Sequence, residues 1–228
     1  SVELLLTGKL GELSPQGVRM LEIAVNNIDR IVKLTSTILD LEGLSTGKIA
    51  LQKQPCDIGL LLKQTLDRLQ NLARKHQIQF VVRSQSIQLV LDPLRIEQVL
   101  EQLLMNAIQF SRPGGRVWLE ITLAPPDQPF QTGRSLMPTE PAKHSPAVLI
   151  TVQDEGPGIS SDQLEAIFDR FQQLDASDSR RQGGAGLGLA LCRSIVQQHQ
   201  GKLWVESRVG QGSTFYLTLP MDRVAVQA

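Results

Sequence analysis

Cysteine and histidine are both scarce in this 228-residue chain. The two cysteines, Cys56 and Cys192, lie far apart and form no CxxC pair. This spacing excludes a cysteine-based metal site and predicts two reduced thiols in a cytoplasmic protein. The three histidines are His76, His144 and His199, so few side chains are candidates for a reactive imidazole.

Strong charge and long apolar runs are also absent. The chain has 23 basic and 23 acidic residues and no basic stripe, which argues against nucleic acid as a partner. No apolar run approaches the roughly 20 residues of a membrane helix, and no signal peptide is recognisable. With 41% apolar residues, the chain can bury a substantial core.

Residues 15–44 carry the spacing of a helix. Apolar positions separated by three and four residues form two neighbouring stripes, a pattern that suits a helix bundle. Ser14 and Pro15 are a plausible N-cap and first helical residue. Residues 7–11 are predicted to be a loop and residues 2–6 the remnant of another helix. We therefore expect residues 1–47 to form a helical hairpin with a shortened first helix.

The remaining residues, 48–228, mix helical and strand-like patterns. Helices are predicted over 58–74, 92–110, 160–171 and 187–199, and strands over 78–82, 87–91, 117–123, 148–152, 202–206 and 214–219. Residues 124–146 contain half of the chain's prolines and no periodicity, so we expect a flexible surface insertion there.

Three glycine-rich clusters occupy positions where a ligand could approach the backbone. They are residues 154–159 after a predicted strand, 183–189 before a helix, and 210–215 at a turn into a strand. Glycine permits positive φ, and a glycine loop at a helix N-terminus suits phosphate. The clusters fit neither the dinucleotide fingerprint nor a P-loop, because the glycines alternate and no lysine follows them.

The predicted helix over 92–110 has a polar stripe opposite its apolar side. Its members are Arg95, Gln98, Gln102, Asn106 and Gln109, which are mostly amides rather than the Lys and Glu of a solvated face. Carboxamide oxygens can coordinate Mg²⁺ beside phosphates. The stripe therefore predicts a pocket wall, with an ordinary exposed face as the alternative.

Taken in order, these motifs resemble the GHKL ATPase superfamily. Residues 102–110 (QLLMNAIQF) resemble its N box, residues 154–158 (DEGPG) its first glycine box, residues 184–188 (GAGLG) its second, and residues 212–215 (GSTF) its closing strand motif. Residues 167–171 (IFDRF) resemble the F box of its histidine kinases. The chain is thus similar to the ATP-binding catalytic domain of a two-component sensor histidine kinase, preceded by part of the dimerisation and histidine-phosphotransfer hairpin.

The resemblance implies an α+β fold, a two-layer α/β sandwich of the GHKL (Bergerat) type with a mixed sheet. It also implies ATP and Mg²⁺ as ligands. Asn106, together with Gln102, would coordinate the metal, and Asp154 would accept a hydrogen bond from the adenine amino group. The implied ATP-binding residues are Gln102, Asn106, Gln109, Asp154, Gly156, Gly158, Ile159, Phe171, Arg180, Arg181, Gly184, Ala185, Gly186, Leu187, Gly188 and Thr214.

Residues 172–185 would form a mobile ATP lid by the same resemblance. Arg180 and Arg181 within it would either reach the phosphates or remain solvated. Gln102 stands where these kinases usually have Asn, and Gln109 and Gln173 stand where a basic residue is usual. These departures predict weak or slow turnover.

The family's phosphoacceptor histidine belongs to an H box, which we expect upstream of Ser1, and His76, His144 and His199 do not match it. The implied reaction transfers the ATP γ-phosphate to that histidine and then to an aspartate of a response regulator receiver domain. A homodimer through the hairpin is also implied, with any membrane attachment outside this chain.

Two alternatives stay open. Other GHKL ATPases use a glutamate base at the position of Gln102, which cannot act as a base. A degenerate module that binds nucleotide or a partner without phosphorylating is the other alternative.

Overall fold

The computed structural model describes residues 14–124, 146–172 and 186–221. The predicted helix remnant at 2–6, nearly all of the predicted insertion and most of the predicted lid lie outside these ranges. The first helix, α1 (Pro15–Ser45), begins as predicted: the Ser14 hydroxyl accepts a hydrogen bond from the Gly17 amide at 3.2 Å, and Pro15 occupies the first turn.

The described strands form two sheets. The main sheet has the order β2 (Gln79–Arg83), β4 (Arg116–Ala124), β5 (Ala147–Gln153), β7 (Ser213–Pro220) and β6 (Lys202–Ser207). Strands β2 and β4 are parallel and the other pairs antiparallel, so the sheet is mixed, as expected. A small antiparallel sheet pairs β1 (Gln54–Asp57) with β3 (Gln88–Leu91).

Three helices complete the sandwich: α2 (Ile58–Lys75), α3 (Pro93–Phe110) and α4 (Gly188–Gln198). The apolar side of α3 is buried as predicted, through Val99, Leu100, Leu103, Leu104, Ala107 and Ile108. These side chains share one core with the inward residues of β4, β5 and β7. The structure thereby confirms the two-layer α+β architecture. Within the ranges that the structure covers, no helix combines the length and apolarity needed to cross a bilayer.

Helix α1 contacts the sandwich mainly through its last turns. Leu41 and Leu44 are buried, and the Gln198 amide on α4 donates to the Leu44 carbonyl at 3.0 Å. Toward its N-terminus, α1 leaves its large apolar side chains exposed: Met20, Ile23, Ile28, Ile31, Val32, Ile38 and Leu39. The sandwich therefore buries only the C-terminal end of the predicted apolar stripes.

The prediction of a helix over 160–171 is wrong. The structure has turns followed by a single 3-10 turn at Ala166–Phe168. Asp169 is already extended, with φ −79° and ψ 155°, and Phe171 has φ +66°, which a right-handed helix does not allow. The Phe171 amide instead donates to the Gly186 carbonyl at 2.9 Å. This distant contact redirects the chain before a second helical turn can form.

Candidate nucleotide-binding site

Asp154 follows the end of β5 and lies at the centre of the candidate site. Its side chain is only 6% exposed, and its Oδ1 accepts hydrogen bonds from the amides of Gly156 at 2.8 Å and Ser213 at 3.2 Å. Its Oδ2 accepts no hydrogen bond from any residue that the structure describes. Burial raises the pKa of the Asp154 carboxyl, and the two backbone hydrogen bonds oppose that rise. One carboxylate oxygen thus fixes the side chain, while the other is left for a ligand.

The first glycine loop is packed against backbone on two sides. Gly158 has φ +74°, and a Cβ there would lie 2.0 Å from the Arg208 carbonyl oxygen. A Cβ on Gly156 would lie 2.9 Å from the carbonyl oxygen of Phe110, at the end of α3. Because only glycine permits both approaches, the loop after Asp154 lies between the β6–β7 turn and the C-terminus of α3.

The amides of α3 face the N-terminus of α4. Gln102 Nε2 donates to Asn106 Oδ1 at 2.9 Å, and a Cβ on Gly188 would lie 2.5 Å from Gln102 Oε1. Leu187, at the N-cap of α4, is buried and provides no side-chain cap. The first N–H groups of α4 are therefore not satisfied by a capping side chain, an arrangement that suits an anion.

The predicted polar stripe on α3 divides into two functional parts. Arg95 donates to both carboxylate oxygens of Asp40 on α1, at 2.8 and 3.0 Å, and to Gln98 Oε1 at 3.2 Å. Gln102, Asn106 and the half-buried Gln109 lie further along the helix, toward the glycine loop. Only the second part of the stripe contributes to the candidate site, while the first part binds α1.

The residues on either side of 173–185 meet each other. The Phe171 amide donates to the Gly186 carbonyl, and a Cβ on Gly186, which has φ +68°, would lie 2.5 Å from the Gln172 carbonyl oxygen. Phe171 itself is 65% exposed. The predicted contacts of Arg180, Arg181, Gly184 and Ala185 lie outside the described residues.

The structure does not bring the Thr214 side chain to Asp154. Along β7, Ser213 and Phe215 are buried on the helix-covered face, and Thr214 lies between them on the opposite face. Ser213 contacts Asp154 instead, through both its amide and its carbonyl. The alternation of β7 around Phe215 was the sequence signal that could have identified Ser213.

Ser207 is a second residue that the motifs did not reveal. It ends β6, and its hydroxyl lies within hydrogen-bond distance of the Ile159 amide, the Gly212 carbonyl and the Ser213 hydroxyl. Ile159 is buried beneath the glycine loop, in agreement with a place at the site. No sequence motif that we considered includes Ser207.

His199 has the surroundings of a structural residue. Its ring is buried, Nδ1 lies 2.9 Å from the Ile195 carbonyl, and Nε2 accepts from the Asp92 amide at 3.0 Å. Both ring nitrogens are therefore occupied by backbone groups. His76 ends α2, a helix that provides none of the residues described above. His144 lies outside the described residues.

Comparison with known proteins agrees with this geometry. Residues 91–223 match the family of histidine kinase-, DNA gyrase B-, and HSP90-like ATPases. The chain is 34% identical to the circadian input-output histidine kinase CikA of Synechococcus elongatus over 95% of this chain and 26% of CikA. It is 33% identical to the sensor protein GacS of Pseudomonas syringae pv. syringae over 93% of this chain and 22% of GacS.

A solved structure gives the same fold. Full-length ShkA, crystallised in complex with AMPPNP, superposes with a TM-score of 0.71 at 24% identity, over 96% of this chain and 42% of that one. The chain spans about a quarter of the length of the two curated relatives. By its family match and its relatives, the chain belongs to the histidine kinase-, DNA gyrase B- and HSP90-like ATPases, as an ATP-binding catalytic domain of the sensor histidine kinase type.

Proposed function

We propose that this domain binds ATP with Mg²⁺ and presents the γ-phosphate to a histidine, from which it passes to an aspartate of a response regulator. The observation that carries the proposal is the buried Asp154, whose Oδ1 is fixed by two amides while Oδ2 accepts no hydrogen bond from the described residues. A carboxylate held in this way suits a ligand that donates one hydrogen bond, as the adenine amino group does.

The surrounding residues fit the remainder of the nucleotide. Gly156 and Gly158 keep the loop free of side chains next to Asp154, and the uncapped N-terminus of α4 offers amides to phosphate oxygens. Asn106 and Gln102 lie between them on α3. The base would then bind at Asp154 and the phosphates toward Gly188.

The donor set also fits Mg²⁺ in the amide-and-phosphate form. The described residues contain no group of three or more His, Cys, Asp or Glu side chains that could hold a metal. A cation would therefore be held by the Asn106 carboxamide, assisted by Gln102, together with phosphate oxygens and water. When bound, it would neutralise charge on the transferring phosphoryl group.

One contact favours the alternative of a domain that binds nucleotide with little turnover. Gln102 donates to Asn106 Oδ1, so the predicted metal ligand already accepts one hydrogen bond. Mg²⁺ binding needs the second lone pair of that oxygen or a rotation of the Gln102 amide. This contact, together with the absence of a base at Gln102, supports slow phosphoryl transfer and argues against an ATPase that activates water.

Calorimetry with ATP and Mg²⁺ tests the proposal. The wild-type chain should bind with micromolar to millimolar affinity, and Asp154→Ala should abolish binding. Asp154→Asn is the sharper variant, because it can keep an Oδ1 acceptor for Gly156 and Ser213 while replacing Oδ2 with a donor. We expect that variant to fold and to lose binding as well.

The matched control is Asp162→Ala, which removes an exposed carboxylate from the same segment. It should bind ATP as the wild type does. Unchanged affinity in both Asp154 variants would show that the base does not bind at this carboxylate.

A further inference from the structure

The Ser207 hydroxyl joins three groups that flank Asp154. Its Oγ lies 2.8 Å from the Ile159 amide nitrogen, 2.7 Å from the Gly212 carbonyl oxygen and 2.9 Å from Ser213 Oγ. Ile159 belongs to the glycine loop, whereas Gly212 and Ser213 lead into β7. A single side chain at the end of β6 therefore connects both segments that hold the candidate site.

The direction of each hydrogen bond follows from the chemistry of the partners. The Gly212 carbonyl can only accept, so the single hydroxyl hydrogen of Ser207 is donated there. Ser207 Oγ must then accept from the Ile159 amide and from the Ser213 hydroxyl. Because the hydrogen of Ser213 is used in this way, only the Ser213 amide donates to Asp154 Oδ1, as is observed.

Other contacts at this junction are backbone approaches, and these depend on the same spacing. A Cβ on Gly212 would lie 2.1 Å from the Asp154 carbonyl oxygen, and the Gly210 amide donates to the Pro157 carbonyl at 2.6 Å. Such approaches tolerate little displacement of either segment. Removal of the Ser207 hydroxyl would leave the Ile159 amide without its partner and allow the loop to move relative to β7.

We propose that Ser207 is a positioning residue of the nucleotide site, which sets the distance between the glycine loop and β7 and so places the Asp154 carboxylate for the base. It acts through Ile159 and Ser213 rather than by touching the nucleotide. The proposal rests on the proposed function, since it assumes that the base binds at Asp154.

The test compares Ser207→Ala and Ser207→Thr in the complete 228-residue chain, with ATP and ADP affinities from calorimetry and thermal unfolding of each variant. We expect Ser207→Ala to weaken affinity about tenfold, the effect of losing roughly one buried hydrogen bond. The loss should be equal for ATP and ADP, because it arises at the base rather than at the γ-phosphate. Ser207→Thr keeps the hydroxyl in a strand position that accepts β-branched residues and should restore affinity.

Thr65→Val is the control for a purely structural effect. Its hydroxyl is fully buried in α2 and donates to the Leu61 carbonyl at 2.9 Å. This variant should lower the unfolding temperature and leave ATP affinity unchanged. If Ser207→Ala behaves in the same way, Ser207 is structural only and the proposal is overturned.

Two further outcomes are decided by the same measurements. A wild-type chain that does not bind ATP would overturn the proposed function before any variant is examined. If Ser207→Ala does not fold, Ser213→Ala removes only the hydroxyl contact between the two serines and should weaken ATP and ADP equally, by less than tenfold. Unchanged affinity in that variant would contradict the positioning role.

Discussion

His199 shows how one buried side chain can join separate segments of the chain. Its Nε2 accepts from the amide of Asp92, whose side chain caps α3 and also accepts from the Gln52 amide at 2.9 Å. Its Nδ1 is directed at the Ile195 carbonyl on α4. Nε2 can accept only when the ring is neutral, so this junction requires an uncharged imidazole.

Protonation of His199 should therefore destabilise the fold. Burial lowers the pKa of the His199 imidazole from its ordinary value of 6.5, and Lys53 lowers it further, while the Ile195 carbonyl and Asp92 oppose the shift. As the pH falls below 6.5, the unfolded chain binds a proton that the folded chain resists. Stability should be lost in that range and level off below the folded-state pKa.

Urea unfolding at pH 7.5 and pH 5.5 checks this prediction. The loss of stability between the two values should shrink in His199→Gln, which has no titrating ring. Gln198→Ala removes a neighbouring hydrogen bond without an ionisable group and should lower stability equally at both pH values. An undiminished pH effect in His199→Gln would assign the sensitivity to other groups.

At the level of residues, the sequence was sufficient where a motif names the side chain and insufficient where the partner is distant. Asp154 was predicted from its place before two glycines. Ser207 could not be predicted, because its three partners lie 48, 5 and 6 residues away and meet it only after β6 and β7 have paired. Arg95 was assigned to the pocket because its helix position, but not its partner Asp40, is visible in the sequence.

Between elements, the contact of α1 with the sandwich includes two ion pairs of different character. Arg95 binds Asp40 through both carboxylate oxygens, and both side chains are about three-quarters buried. Arg170 binds Glu42 at 2.6 Å, but both of these side chains are about half exposed. Bidentate, shielded pairs contribute more than exposed pairs, which are screened by solvent.

We therefore expect Asp40→Ala to destabilise the chain by about 1–2 kcal/mol, since it leaves the Arg95 guanidinium without its partner. Glu42→Ala, two residues along the same helix, is the matched control and should change stability by less than about 0.5 kcal/mol. Urea unfolding of both variants measures the difference. Equal effects would mean that burial does not distinguish the two pairs.

The elements themselves were predicted well where periodicity is long and poorly where tertiary contacts decide. Helices α1, α2, α3 and α4 agree with the apolar spacing to within one or two residues. Strand β1 was missed because Gln54–Asp57 has no alternation and contains Pro55, and it is ordered by pairing with β3. The failure over 160–171 has the same origin, because Gly186 determines the path at Phe171.

For the whole molecule, the exposed apolar side of α1 points to self-association. Ile28, Ile31 and Val32 are 48%, 62% and 59% exposed, although they lie in the middle of a 31-residue helix. Burying each against a partner helix is worth about 1.5–3 kcal/mol. We expect a second copy of α1 to cover this side in a helix bundle.

Sedimentation of the 228-residue chain should show a weak, concentration-dependent dimer. Ile28→Lys should remove it, because a charge would be buried in the seam. Asn27→Lys, which places the same charge on the neighbouring exposed position, should leave it intact. A tight dimer that survives Ile28→Lys would exclude this seam.

The chemistry of the whole molecule depends on the nucleophile that meets the γ-phosphate. Phosphoryl transfer requires a positioned acceptor, and the protein adds little beyond geometry and charge. His199 is buried with both ring nitrogens occupied, and His76 ends a helix outside the site. Water is a poor acceptor here, because Gln102 cannot remove its proton.

We therefore expect the 228-residue chain to bind ATP without labelling itself when incubated with Mg²⁺ and γ-labelled ATP. A longer chain that carries an H box upstream of Ser1 should acquire an acid-labile, base-stable label, as a phosphoimidazole should. In that longer chain Asn106→Asp should depress labelling, because a carboxylate would alter Mg²⁺ binding and repel the phosphates. Stoichiometric acid-labile labelling of the 228-residue chain would instead identify His76, His144 or His199 as an acceptor. Replacing each in turn by alanine would then show which one the bound nucleotide reaches.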